Sequence, residues 1–316
     1  MKTITKEFKN LEKWEGTLAS CIRCGYCFEH CPMFKYTGWE SDAPRAKIIT
    51  AFGLLSGNVE LTKASSDKLF NCFYCKRCEA ACSSGVPLTE IFTDAKKDLA
   101  KMGFKGPGTT SVTHMNCARC LICIGACPHD ARSFDGSEAV VVDPVKCQAC
   151  GICVEVCPAG AAVIENHFGT ARKELIERST AFLKSHASAK AIVFACNWSY
   201  YPDLQASVLP ESETHDKDYE ILVNMCGGRI EAQLLMSPFL NNAWGVLVAC
   251  CPDGDCQHEG NKKAVKLVEN TQKIFQELKM DPERIQLVEI PPGDKTLFQA
   301  EIDTFIDKLN SMGPLR

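Results

Sequence analysis

The sequence has no uninterrupted apolar run approaching the ~20 residues that a membrane helix needs, although apolar residues make up 46% of its 316. Its opening stretch, MKTITKEFKNLEKWEG, is charged and lacks the apolar core of a secretory signal. A cytoplasmic, reducing setting is therefore expected. Charge imbalance is also missing: 35 Lys and Arg against 39 Asp and Glu leave a net −4, which gives no electrostatic reason to expect nucleic acid as the main partner. No phosphate-binding glycine loop is present, because GPG at 106–108 lacks both the spacing and the strand–helix setting. The seven histidines are scattered, and no Ser/His/Asp constellation or poised carboxylate pair is visible. These absences remove the usual marks of hydrolases and nucleotide enzymes.

What the chain has is cysteine, 21 of them. Without a secretory signal a disulfide scaffold is not expected, so the thiols point to metal, redox work or both. Sixteen fall in four clusters: Cys21, Cys24, Cys27 and Cys31; Cys72, Cys75, Cys78 and Cys82; Cys117, Cys120, Cys123 and Cys127; Cys147, Cys150, Cys153 and Cys157. Each reads C-x2-C-x2-C-x3-C, an internal repeat at the level of the motif. Pro32, Pro128 and Pro158 follow three of them, and Ser83 follows the other. Structural zinc takes two separated C-x2-C pairs in a tetrahedron. Three thiols two residues apart, with a fourth set off before proline, are instead the iron–sulfur pattern, in which the fourth cysteine ligates the neighbouring cluster. Four 4Fe-4S clusters are expected.

Residues 110–167 resemble the bacterial two-cluster ferredoxin motif for motif, with SFDGSEAVVVDP expected as the hairpin between the halves. The resemblance implies one cluster on Cys117, Cys120, Cys123 and Cys157, and another on Cys147, Cys150, Cys153 and Cys127. The first pair of motifs is separated by a stretch that reads as helix. Ser41-Asp42 before Pro44 is a start signal for a helix reaching Leu55. Further helices are expected over Val59–Phe70 and Leu88–Met102. With CSSGVPLTEIF after the second motif, residues 1–104 resemble the helical two-cluster ferredoxin found as the C-type component of heterodisulfide reductase. By the same crossing the resemblance implies Cys21, Cys24 and Cys27 with Cys82, and Cys72, Cys75 and Cys78 with Cys31. KGPGTT at 105–110 reads as a linker. Arg23, Lys76, Arg77 and Arg119 lie inside the motifs, where a cation would favour a reduced cluster but a solvated loop residue is the plainer account. His30 and His129, which flank motifs, could tune a cluster's potential, but surface residues are the plainer account.

From about Ala189 the pattern becomes β/α. AKAIVFAC, YEILVNMC, WGVLVACC and RIQLVEI read as buried strands, with helices over 231–242, 261–279 and 295–309, so a parallel, helix-covered sheet is expected. Three strands end in cysteine, where such sheets bind ligands. ACNWSYYP, MCGGRIEAQLL and VLVACCPDGDCQHEGN resemble the delta subunit of methyl-viologen-reducing hydrogenase, which holds one 2Fe-2S cluster. Carried across, Cys196, Cys226, Cys251 and Cys256 are the implied ligands. Ser199 replaces the second cysteine of the family's CNWC, and Cys250 is extra.

The expected architecture is multidomain α+β: a helical ferredoxin (1–104), a bacterial-type ferredoxin (105–167) and a C-terminal α/β domain with a parallel sheet (168–316). Such a chain is expected to be a relay subunit without a substrate site. By resemblance it would pass single electrons between a heterodisulfide-reductase-A-like flavoprotein and a hydrogenase, formate dehydrogenase or substrate reductase. The alternative is a reductase acting on a thiol, disulfide or thioester at its tail cluster, against which the missing CCG signature counts. A zinc scaffold is the remaining, weaker alternative.

Overall fold

Proline at the first helical turn sets the geometry of the first unit. In the computed structural model, which describes residues 8–106, 111–113, 115–164, 172–200, 218–224 and 226–315, helices run over Pro44–Leu55, Lys63–Phe70 and Leu88–Lys101. The second begins later than its apolar spacing suggested. Thr62 and Ser65 form a reciprocal capping box, which fixes the start there and leaves Val59 outside. Ile91, Phe92, Ala95 and Leu99 are buried on the third helix and pack with Leu11, Ile48, Leu54 and Leu69. Each large side chain so buried contributes roughly 1.5–3 kcal/mol.

Two carboxylates of that helix hold the start of the chain. Asp98 accepts the backbone N–H groups of Asn10 and Leu11, each at 2.9 Å. It thereby serves the short helix Lys9–Glu12, whose own N-cap Phe8 offers no side-chain bond. Asp94 accepts from the Trp14 indole at 2.8 Å and pairs with Lys13 and Lys97.

Four short strands frame the third and fourth motifs. β1 (Ser111–Thr113) pairs antiparallel with β4 (Ala162–Ile164), and β2 (Arg132–Ser133) pairs with β3 (Val141–Val142) as the expected hairpin. Of the expected linker, residues 107–110 lie outside the described residues.

The chain divides into two compact units, Met1–Phe168 and Gly169–Arg316. The second is built on a four-stranded parallel sheet: β5 (Ala191–Cys196), β6 (Tyr219–Asn224), β7 (Gly245–Cys250) and β8 (Ile285–Glu289), in the order β6-β5-β7-β8. Strand alternation sends Ile192, Phe194, Val246 and Val248 to one face, against Val268 and Phe275 of the helix Gly260–Glu277. Ala191, Val193, Ala195 and Leu247 face Phe298, Ile302 and Phe305 of the helix Lys295–Met312. The helix expected over 231–242 is shorter. It runs Ala232–Met236 and resumes as a 3-10 turn at Phe239–Asn241, because Pro238 between them has no N–H for an α-helical bond. The strand order reverses at β5, so the carboxyl ends of β5, β6 and β7 meet around a switch point. No helix among the described residues is long and apolar enough to cross a membrane.

Candidate iron–sulfur centres

The four motifs share one backbone form. In each, the second residue after the first cysteine has positive φ: Arg23 (57°), Tyr74 (56°), Arg119 (55°) and Ala149 (51°). So has the residue after the second cysteine: Gly25 (93°), Lys76 (59°), Leu121 (61°) and Gly151 (85°). Left-handed backbone costs an ordinary residue about 1–2 kcal/mol, and six of the eight are not glycine. Repetition at matched positions marks the strain as part of the motif. The winding turns successive N–H groups inward as an anion-binding nest. Tyr74 N–H donates to Cys72 Sγ and Arg119 N–H to Cys117 Sγ, both at 3.4 Å. After the last cysteine, Val86, Ala131 and Ala161 donate to Cys82, Cys127 and Cys157 at 3.4, 3.4 and 3.2 Å.

The wound loops leave cavities, and the thiols lining them come from two motifs at once. One cavity is lined by Cys21, Cys24, Cys27 and Cys82. Another is lined by Cys31, Cys72, Cys75 and Cys78, with Pro32 and Tyr74 in its wall. A third is lined by Cys127, Cys147, Cys150 and Cys153, with Pro128. Around Cys117, Cys120, Cys123 and Cys157 the tie is the β1–β4 ladder, whose pair Thr113↔Ala162 sets the chain before Cys117 beside the chain after Cys157. Burial, reinforced by neighbouring thiols, pushes Cys27, Cys75 and Cys150 up to about 12. Such groups become thiolates on metal, where the ion's own charge reverses that balance. All twenty-one cysteines are free of disulfides. Among the described residues no three His, Cys, Asp or Glu side chains group as ligands of one ion; in the three cavities the thiols surround a space. Clustered thiols of this kind are the donors that iron–sulfur centres take.

In the second unit, strand ends do what the local motifs do in the first. Cys196 ends β5, Cys226 follows β6, and Cys251 follows β7. Their side chains form a chain of sulfur hydrogen bonds, Cys196 to Cys251, Cys251 to Cys256 and Cys256 to Cys226. Bonds from Cys226 and Cys251, with backbone N–H groups of His258 and Asn261, hold Cys256 well below the usual thiol range. Cys251, sharing its bonds with both neighbours, is pushed up. Backbone N–H groups of Trp198, Ser199 and Gly227 also reach Cys196. Cys250 packs against Cys196 and Cys251 but stands outside that chain of bonds, raised first by burial. Ser199, 2% exposed, keeps a buried hydroxyl with no hydrogen-bond partner among the described residues. A polar atom left so beside four clustered thiols fits a site that takes a further group.

The cations divide. Arg23, Lys76 and Arg119 are exposed, as solvated loop residues are, whereas Arg77 is buried. His30 is buried as well, contrary to the surface reading, and lines the second cavity. Within the first unit, sequence reasoning missed three buried cations. Lys47, whose ammonium donates to the Asp42 carbonyl, partly offsets the burial that pushes the Cys31 thiol up. Arg132 hydrogen-bonds Cys123 and Thr113. Lys96 lies under Phe70 and Tyr74.

Two ferredoxin-like halves and a strand-end thiol site define an iron–sulfur protein of the electron-transfer class. Two 4Fe-4S dicluster domains match residues 17–86 and 116–161, and the family described as methyl-viologen-reducing hydrogenase, delta subunit, matches 191–313. The iron–sulfur polypeptide of the F420-non-reducing hydrogenase of Archaeoglobus profundus is 30% identical over 128 residues, covering 40% of this chain and 91% of that one. The chain belongs to this hydrogenase delta-subunit family. The C-type component of the ferredoxin:CoB-CoM heterodisulfide reductase of Methanosarcina mazei is 27% identical over 125 residues, 40% of this chain and 70% of that one. The glycolate oxidase iron–sulfur subunit of Escherichia coli is 33% identical over 93 residues, 29% of this chain. The chain spans only 22% of that relative's length.

Proposed function

We propose that the chain is an electron-relay subunit holding four 4Fe-4S clusters and one 2Fe-2S cluster. It would serve a cytoplasmic complex that joins a heterodisulfide-reductase-A-like flavoprotein to a hydrogenase, formate dehydrogenase or substrate reductase. The observation that carries the reading is that three separate cavities are each lined by four cysteines, three from one motif and one from its partner motif. The proposed ligand sets are Cys21, Cys24, Cys27 and Cys82; Cys31, Cys72, Cys75 and Cys78; Cys117, Cys120, Cys123 and Cys157; Cys127, Cys147, Cys150 and Cys153; and Cys196, Cys226, Cys251 and Cys256. Bound there, iron–sulfur centres supply one-electron storage at potentials that the surrounding charge and hydrogen bonds adjust.

The protein's own part is to hold, shield and tune. Backbone N–H groups donate to the sulfurs, and apolar walls such as Phe92 and Ile48 keep water from two of the sites. Cys24 and Cys120 are exposed, beside exposed Ile22, Tyr26, Leu121 and Ile122. Surface-reaching ends of this kind suit exchange with partner subunits. Functionally we divide the chain at 1–104, 105–167 and 168–316, with the last segment as the docking adaptor.

The test is iron content. Four clusters of four irons and one of two require about 18 irons per chain, with as much acid-labile sulfide. An anaerobic preparation of the whole chain with about 16 would remove the tail cluster and leave the rest. Zinc near four equivalents with little iron would sink the reading.

A further inference from the structure

Helix Pro44–Leu55 walls two of the thiol cavities and gives a cation to each. Residues three apart are neighbours on a helix surface. Pro44 and Lys47 line the cavity of Cys31, Cys72, Cys75 and Cys78, whereas Arg45 and Ile48 line that of Cys21, Cys24, Cys27 and Cys82.

The two cations differ in company. Arg45 is half-buried, and its Nε donates to the Glu40 carboxylate at 2.8 Å. A partner carboxylate offsets that charge, and solvent screens the pair. Lys47 is 1% exposed, and its ammonium donates to the backbone carbonyl of Asp42. The Asp42 carboxylate is taken by Lys68 at 2.9 Å and by Asn71 at 3.0 Å. Among the described residues no carboxylate oxygen stands within ion-pair distance of Lys47. A buried ammonium held by a neutral carbonyl is costly unless an anion shares its surroundings. The cavity that Lys47 lines is walled by four thiols, which become anions when they ligate a metal. Away from water, charges act on each other several times more strongly than at the surface.

We propose that Lys47 is the counter-charge of the site of Cys31, Cys72, Cys75 and Cys78, a positioning residue that raises the reduction potential of this site more than that of its neighbour. The inference rests on the cluster reading above. The step it favours is the addition of one electron, with no bond made or broken, so the new negative charge stays in the cavity beside the ammonium. The Asp42 carbonyl fixes the ammonium there. Arg45 gives the contrast, because its charge is already engaged by Glu40.

The experiment is a titration of the whole, iron-loaded chain with dithionite, which supplies the electrons, followed by electron paramagnetic resonance. Cys75→Ser and Cys24→Ser assign the two signals. In Lys47→Met the midpoint of the Cys75 site should move to more negative potential, and further than that of the Cys24 site. Lys47→Arg keeps the charge and should hold the midpoint near its unaltered value, while Arg45→Gln should move either site less than Lys47→Met moves its own. An unmoved midpoint in loaded Lys47→Met, a larger shift at the Cys24 site, or a Lys47→Arg midpoint that falls with the uncharged variant overturns the proposal. Lys47→Gln, which still has a donor for the Asp42 carbonyl, should repeat the negative shift. If both uncharged variants lose the iron of this site while Lys47→Arg retains it, the charge is again what the site requires. Should Lys47→Arg lose it too, the residue acts by packing and the proposal falls. Low iron in the unaltered chain would instead refute the cluster reading and is told apart by the iron count.

Discussion

Gly260 is the residue on which the strand-end thiol site depends for closeness. It opens the helix Gly260–Glu277, in the EGN stretch just after Cys256. A Cβ added there would stand 2.3 Å from Cys226 Sγ, 2.6 Å from the Gly228 nitrogen and 3.1 Å from its Cα. Carbon contacts settle near ~3.5–4.0 Å, so something must move by roughly 1 Å or more. The sulfur alone cannot resolve the clash. Two of the three obstructing atoms are backbone, and Gly228 N–H is itself bonded to that sulfur at 3.4 Å. The turn that carries Cys226 must therefore withdraw, which separates Cys226 from Cys256. Overpacking of this kind costs about 1–3 kcal/mol, against which the roughly 0.5–1 kcal/mol helix advantage of alanine over glycine is small. In Gly260→Ala, hydrogen exchange of the sheet amides should speed up by the matching factor, and the whole chain should lose about two irons. Gly227→Ala is the control, because its Cβ would meet Cys250 Cβ at 3.3 Å and needs only a few tenths of an ångström. Gly260→Ala with unaltered iron content and exchange rates would refute the reasoning.

Two further outcomes follow from side-chain placement. Cys251→Ala should cost about two irons, since Cys251 bonds to both Cys196 and Cys256, while Cys250→Ala should cost none; iron counts in the reverse order would show the ligand to be the strand-end residue. Burial by itself would push the Asp94 carboxyl up, but hydrogen bonds from Lys13, Lys97 and Trp14 outweigh it and hold the carboxyl below its usual range. Its contribution is then complete above the unfolded value near ~4 and is lost as pH falls through the lower folded value. Asp94→Asn should destabilise the first unit by about 1.5–3 kcal/mol at neutral pH and flatten its acid limb, and a pH–stability curve parallel to the unaltered one would count against the account.

How far the sequence reveals the sites depends on how their thiols are gathered. Motif spacing is covalent, so sixteen cysteines can be read from the chain alone. Their proposed crossing between motifs comes only from family resemblance, because it depends on how loops fold back. The helix starts were legible where Pro44 stood. The start at Thr62, whose cap competes with apolar spacing, was missed, and so was the break at Pro238, whose missing N–H interrupts an otherwise helical pattern. The buried cations were hidden by their company. In the run AKKDLAK, Lys96 and Lys97 look alike, yet Lys97 stays partly exposed and pairs with Asp94 while Lys96 is buried. A signal was there: Phe92, Lys96 and Leu99 stand at i, i+4 and i+7, which puts Lys96 on the apolar stripe.

The strand-end site obeys a different logic, and the extra cysteine exposes it. Strand alternation puts Cys250 on the face of Val246 and Val248, level with Cys196 across the sheet, since Ala195 pairs with Ala249. Geometry of the regular sheet would thus choose Cys250. The sulfur bonds instead pass through Cys251, where the chain has left the ladder and can turn toward Cys256. The C-x4-C spacing picks the same residue, because the loop from 251 to 256 closes locally while Cys196 and Cys226 arrive by parallel pairing. A motif in the first unit holds three of its thiols through a few residues of chain, whatever the rest of the fold does. The second unit gathers its thiols only when β5, β6 and β7 are in register, so its site should form last in folding and be lost first when the sheet loosens.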